Sequence, residues 1–137
     1  MSYLLDTNVV SELRKREPDR HVLAWYQMIP SPELFLSVLT IGEIRQGIER
    51  LRRKDSDQAD RLEHWLQGLQ ATYKDHLLEV DARVAEEWGR LNVPDPLPII
   101  DGLLAASAKI RGWTLVTRNI SDLRRSGVSL FNPFQPV

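Results

Sequence analysis

The feature that most constrains this chain is the alternation of short apolar runs with longer stretches of helical periodicity. Tyr3-Leu4-Leu5, Leu34 to Val38, Leu77 to Val80, Trp113 to Thr117 and Val128 to Phe131 are brief and largely apolar. That is the pattern of strands buried on both faces. Asp6 or Thr7 can cap a short helix running through Leu13. Pro18 stands where the next helix would begin, Val22, Leu23, Trp25 and Tyr26 supply its bulk, and Pro30 and Pro32 end it. Thr40 can cap a helix whose Ile41, Ile44, Ile48 and Leu51 follow helical spacing. After a polar break at Asp55 to Asp57, a longer amphipathic helix carries Leu62, Trp65, Leu66, Leu69 and Tyr73. Val84, Ala85, Trp88 and Leu91 mark another. Three prolines exclude a helix until Pro98, which suits a first helical position. The helix from about Ile99 to Arg111 is apolar almost all round, which demands burial, and Gly112 ends it. A short helix from Asn119 to Arg125 precedes the last strand. Strands alternating with helices predict an α/β fold, a parallel sheet covered on both faces.

Composition narrows what such a fold can do. A length of 137 residues fits one domain, 1–137, and leaves little room for two. The net charge of −1 provides no global field toward nucleic acid or membrane, so any such contact needs a local basic patch. No cysteine is present, which excludes disulfides, a thiolate nucleophile and the usual structural zinc sites, and suits a cytoplasmic setting. The N-terminus lacks the basic region of a signal peptide. No apolar run approaches the roughly 20 residues that span a bilayer.

Ligands of open α/β sheets bind beyond the carboxyl ends of the strands. Asp6 directly follows the first strand, with Thr7 and Asn8 next. Thr117, Arg118 and Asn119 follow the fourth, with Asp122 one helical turn later. Helix capping explains Asp6 or Asn119 equally well. Asp101 is sharper. A carboxylate on an otherwise apolar helix is costly unless paired or bound to a cation, although the helix dipole favours it in the first turn. Gly102 beside it would let a ligand approach. Glu43 lies on the flank of the Ile41/Ile44/Ile48 stripe, and Gly47 one turn on makes space for close packing or for a ligand. Together these residues place several carboxylates, with Asn and Thr, at strand ends and helix starts. Hard cations such as Mg²⁺ prefer oxygen ligands of this kind.

Leu4-Leu5-Asp6-Thr7-Asn8-Val9-Val10-Ser11-Glu12-Leu13 resembles the PIN-domain family, in particular its VapC- and FitB-type toxins of bacterial type II toxin–antitoxin pairs. The matches continue at Leu36 to Ile48, Leu97 to Ala108 and Thr114 to Leu123, and Asn132-Pro133-Phe134 matches the usual ending. The resemblance implies a three-layer α/β/α sandwich with a central parallel sheet. It implies a Mg²⁺- or Mn²⁺-dependent ribonuclease, a VapB-like antitoxin as partner and commonly a homodimer. Carried over residue by residue, Asp6 and Asp101 would be the core metal ligands. Glu43 and Asp122 would complete the catalytic acidic pocket, and Thr7, Asn8, Thr117 and Asn119 would support it. The compact turn Asn92 to Pro96 departs from relatives that carry a longer stretch there.

Arg45, Arg50, Arg52, Arg53 and Lys54, with Arg14, Lys15, Arg16 and Arg118, can contact RNA phosphates or simply solvate helix ends. Arg45 and Arg118 are the foremost candidates. A pure interaction protein of the same fold is the rival reading, and retention of all four acidic positions argues against it. A receiver-like phosphoacceptor needs an adjacent early acidic pair, whereas Thr7-Asn8 follows Asp6. An aspartate-nucleophile phosphatase wants an acid where Asn8 stands.

Overall fold

The computed structural model describes residues 1–136. Its strands are β1 (Tyr3–Leu5), β2 (Leu34–Ser37), β3 (Leu77–Leu78), β4 (Thr114–Val116) and β5 (Ser129–Phe131). They form a sheet of order β3-β2-β1-β4-β5 in which every pairing is parallel. Leu4 sits opposite Phe35 on one side and Leu115 on the other, so β1 is central. From β1 the chain builds outward through β2 to β3, then returns to add β4 and β5. The order therefore reverses between β1 and β4, and that switch point opens a crevice at their carboxyl ends.

The helices are α1 (Thr7–Leu13), α2 (Arg20–Met28), α3 (Val38–Arg52), α4 (Ser56–Thr72), α5 (Ala82–Leu91), α6 (Ile99–Lys109) and α7 (Ile120–Leu123). Successive strand residues face opposite sides of the sheet. Leu5, Leu36 and Val116 accordingly join a core with Val9, Val22, Ile48 and Leu66 of α1 to α4. Leu4 and Leu115 join a second core with Val84 of α5 and Leu104 and Ala105 of α6. The three-layer sandwich predicted from strand–helix alternation is what forms. No helix of the described residues is long and apolar enough to cross a membrane.

Local boundaries differ from the sequence expectation in instructive ways. Ser37, not Thr40, caps α3: its Oγ accepts from the Leu39 amide at 3.0 Å. The helix starts directly where β2 stops, which draws Thr40 into the first turn with no exposed surface. α2 begins at Arg20 behind an Asp19 cap, two residues beyond Pro18. α6 stops at Lys109 with Ile110 as its cap, two residues before the expected Arg111, and Gly112 then takes the left-handed conformation at φ 70° in the turn that leads to β4. Gly102 does not open a path for a ligand. A Cβ there would lie 3.3 Å from both Leu97 Cβ and Trp88 Cδ1, so its bareness lets α6 press against α5. The Arg125 guanidinium donates to the Leu91 and Asp95 carbonyls and ties the linker before α6 to the turn after α7.

Candidate functional site

Asp6 lies where β1 gives way to α1 and is 3% exposed. Its Oδ1 accepts from the Thr7 amide at 2.6 Å. Its Oδ2 accepts from Thr117 Oγ1 at 2.7 Å and from Asn8 Nδ2 at 3.3 Å. Asp6 is the N-cap of α1, yet capping uses only one of its oxygens. The other accepts from Thr117, the residue that follows β4. Burial, then the nearby charges of Asp101 and Glu43, push the Asp6 carboxyl up to about 6 against the pull of its hydrogen bonds.

Asp101 stands in the first turn of α6, part-buried. Asn119 Nδ2 donates to its Oδ2 at 3.3 Å, while the Asn119 amide donates to Thr117 Oγ1 at 3.0 Å. Thr117 and Asn119 thus link the two aspartates: Asp6 to Thr117, Thr117 to Asn119, Asn119 to Asp101. Burial chiefly, with a contribution from Asp122, raises the Asp101 carboxyl above its ordinary value. Asp122 is exposed on α7 and reaches the group through its charge. Asn119 precedes α7 but makes no side-chain cap; its amide is turned to Asp101 instead.

Glu43 arrives from α3. Thr7 Oγ1 donates to its Oε1 and lies 3.0 Å from Thr40 Oγ1. Thr40 is the supporting residue that sequence reasoning passed over in favour of a cap. It precedes Glu43 by three residues, the spacing that puts two side chains on one helix face, and that was the available signal. Gly47 has open space where a Cβ would go, so close packing is not its reason.

The two basic candidates part company. Arg118 follows β4 at the crevice: its amide donates to Asn8 Oδ1 at 3.4 Å and its guanidinium lies 3.6 Å from the Phe134 ring centroid. Arg45 is instead held by Glu63 of α4, through two contacts of 2.6 Å, and by Glu49 at 3.0 Å. Its charge is spent joining α3 to α4 rather than facing the crevice. The histidines stand apart from the site; His76, for one, bonds the Leu34 carbonyl and stacks on Phe35.

The donors gathered here are carboxylate, amide and hydroxyl oxygens, the set a hard cation favours. The Asp101 charge helps raise the buried Asp6 carboxyl, and the Asp122 charge helps raise Asp101; a cation among these carboxylates relieves that repulsion. Among the described residues no three acidic or imidazole groups converge into a ready-made metal cage. Mg²⁺ needs none, because it keeps several waters and is commonly held by one or two carboxylates.

Fold and site define a class: a three-layer α/β protein with an acidic, oxygen-rich crevice at its topological switch point. The PIN domain model matches residues 3–126, and the chain belongs to the PIN domain family. It is similar to the VapC ribonuclease Y4jK of Sinorhizobium fredii, at 33% identity over 98% of this chain and 99% of that protein. It is also similar to Toxin FitB of Neisseria gonorrhoeae, at 30% identity over 96% of this chain and 97% of that one. The crystal structure of FitAcB from Neisseria gonorrhoeae superposes with a TM-score of 0.90 at 28% identity, over 98% of this chain and 99% of that one.

Proposed function

We propose that this chain is the toxin of a type II toxin–antitoxin pair and hydrolyses RNA phosphodiester bonds as a Mg²⁺- or Mn²⁺-dependent ribonuclease. Its 137 residues act as one domain, in the cytoplasm, opposed by a VapB-like antitoxin. The observation that carries the reading is the pair Asp6 and Asp101, far apart in the sequence and joined through Thr117 and Asn119. Likeness to a VapC ribonuclease and a FitB toxin over nearly the whole chain supports it.

Asp6 and Asp101 would hold the divalent ion, with Glu43 and Asp122 completing the acidic pocket. When bound, the ion orients and acidifies a water and neutralises charge on the phosphate. The chain's own residues do the rest. Thr117 and the Thr7 amide fix the Asp6 oxygens, and their hydrogen bonds favour its ionised form. Asn119 orients Asp101, and Thr7 orients Glu43. Arg118, held over Phe134, stands where a phosphate can meet it.

The test is cleavage of a mixed RNA pool by partner-free protein in Mg²⁺, Mn²⁺ or EDTA, beside Asp6→Asn and Asp101→Asn. Metal-dependent cutting lost in both variants is expected. A folded, partner-free protein that neither cuts nor binds Mn²⁺ would instead be an interaction protein that keeps the fold alone.

A further inference from the structure

Arg14, Arg16 and Arg61 converge on an open depression of about 360 Å³, whose remaining walls are Gln58, Leu62 and Trp65. Arg14 and Arg16 belong to the segment leaving α1, and the other four residues to α4. Among the described residues none of these three arginines is in an ion pair, whereas Lys15 between them is taken by Glu12, and Arg45 and Arg52 are taken by α4 carboxylates. Three guanidinium groups around one hollow repel one another and favour an anion. Arginine forks match phosphate oxygens, and an indole beside them offers a face to a base.

The depression is also placed to serve the acidic crevice. α1 starts at the Asp6 cap and ends at Arg14 after seven residues, about 10 Å of helix. That is about three nucleotides of stacked strand at about 3.4 Å each. Arg118 stands at the crevice end of this path, its amide on Asn8 Oδ1 at 3.4 Å and its guanidinium 3.6 Å from the Phe134 ring centroid.

We infer that the Arg14/Arg16/Arg61 depression, with Trp65, is a second contact for a single RNA strand, gripping phosphates a few nucleotides from the bond at Asp6 and Asp101. The inference rests on the ribonuclease reading and names where the substrate continues. An acidic segment of a partner protein is the competing occupant.

The experiment measures binding of a fluorescein-labelled, mixed-sequence RNA oligonucleotide across a series of NaCl concentrations. All proteins are full-length and carry Asp6→Asn, so that the probe stays intact. The comparison is between this background, the same protein with Arg14→Gln, Arg16→Gln and Arg61→Gln, and a control with Arg50→Gln, Arg53→Gln and Lys54→Gln, which loses equal charge at the end of α3. Single-strand binding loses about 0.7 of salt slope per phosphate contact removed, so the first triple variant should lose about 2 and the control much less. Restoring the charges as Arg14→Lys, Arg16→Lys and Arg61→Lys should recover most of the slope. Equal losses in both triple variants, or none in the first, would overturn the inference. So would unchanged RNA binding with a weakened antitoxin complex, which would assign the depression to a protein carboxylate. Absence of RNA binding by the Asp6→Asn background itself would count against the ribonuclease reading instead.

Discussion

Thr117 Oγ1 donates to Asp6 Oδ2 at 2.7 Å, joining residues 111 positions apart at the ends of adjacent strands. Of the hydrogen bonds to Asp6, this one does most to favour the ionised carboxylate. Thr117→Val removes it and should drive the Asp6 pKa above about 6. A hydrogen bond to a charged group contributes about 1.5–3 kcal/mol, so cleavage near neutral pH should fall about 10- to 100-fold. The acid limb of the pH–rate profile should move to higher pH, and Thr117→Ser should restore it. A Thr117→Val protein with lower activity but an unmoved profile would show that the threonine only packs.

The raised pKa of Asp6 is also a statement about stability. A carboxyl whose pKa rises on folding favours the folded state while protonated, and that advantage is lost as pH climbs from the unfolded value toward the folded one. For Asp6 the window runs from 3.8 to about 6. The loss is of order 3 kcal/mol, and Asp101 adds to it in the same direction. Relative to Asp6→Asn, the metal-free protein should therefore melt at a progressively lower temperature as pH rises across this window. Mn²⁺ should reverse the fall above pH 6 and have little effect below pH 4, because its ligands must be deprotonated. Melting scans with EDTA and with Mn²⁺ decide it, and a metal effect independent of pH would remove these aspartates from the binding site.

Asp6→Asn follows from the same physics. Removing a buried charge that repels Asp101 and Glu43 should leave the metal-free protein at neutral pH as stable as the parent or more so. RNA cleavage and Mn²⁺ binding, read by EPR, should both be lost. Lower stability together with lost activity would mean that the capping role of Asp6 outweighs its repulsion.

What could be read from the sequence was what short-range pattern controls. β1, β4 and the buried α6 declare themselves through apolar runs, and Gly112 and the prolines before Pro98 mark where helices must stop. Asp101 stood out because a carboxylate on an apolar helix demands a reason. What escaped was anything settled by a partner distant in sequence. Thr40 looks like a cap until β2 is seen to deliver Ser37 to that position. Gly102 looks like room for a ligand until Trp88 is packed upon it. Arg45 looks like a phosphate contact until α4 folds back and presents Glu63. In each case the residue type was informative and its neighbour was missing.

Thr40 shows how far such support extends. Its hydroxyl, with no exposed surface, lies 3.0 Å from the Thr7 hydroxyl that holds Glu43. Thr40→Val keeps the volume and removes the hydroxyl, so the fold should persist while Thr7 loses one of its two anchors. A neutral hydrogen bond contributes about 0.5–1.5 kcal/mol, so cleavage should fall about two- to tenfold, with Thr40→Ser close to the parent. A drop in melting temperature shared by both variants, with activity following it, would mark Thr40 as packing alone.

Gly47 gives the cleanest separation of stability from function. It lies in the middle of α3, one turn beyond Glu43, exposed and with open space around the place of a Cβ. An alanine there meets nothing and gains helix propensity, so Gly47→Ala should stabilise the protein by up to about 1 kcal/mol. Denaturant unfolding measures that gain, and RNA cleavage by the same preparation measures its consequence. Unchanged cleavage would make the glycine incidental to the chemistry. A protein that is more stable yet cuts RNA more slowly would show that the bare backbone beside Glu43 is space the substrate occupies.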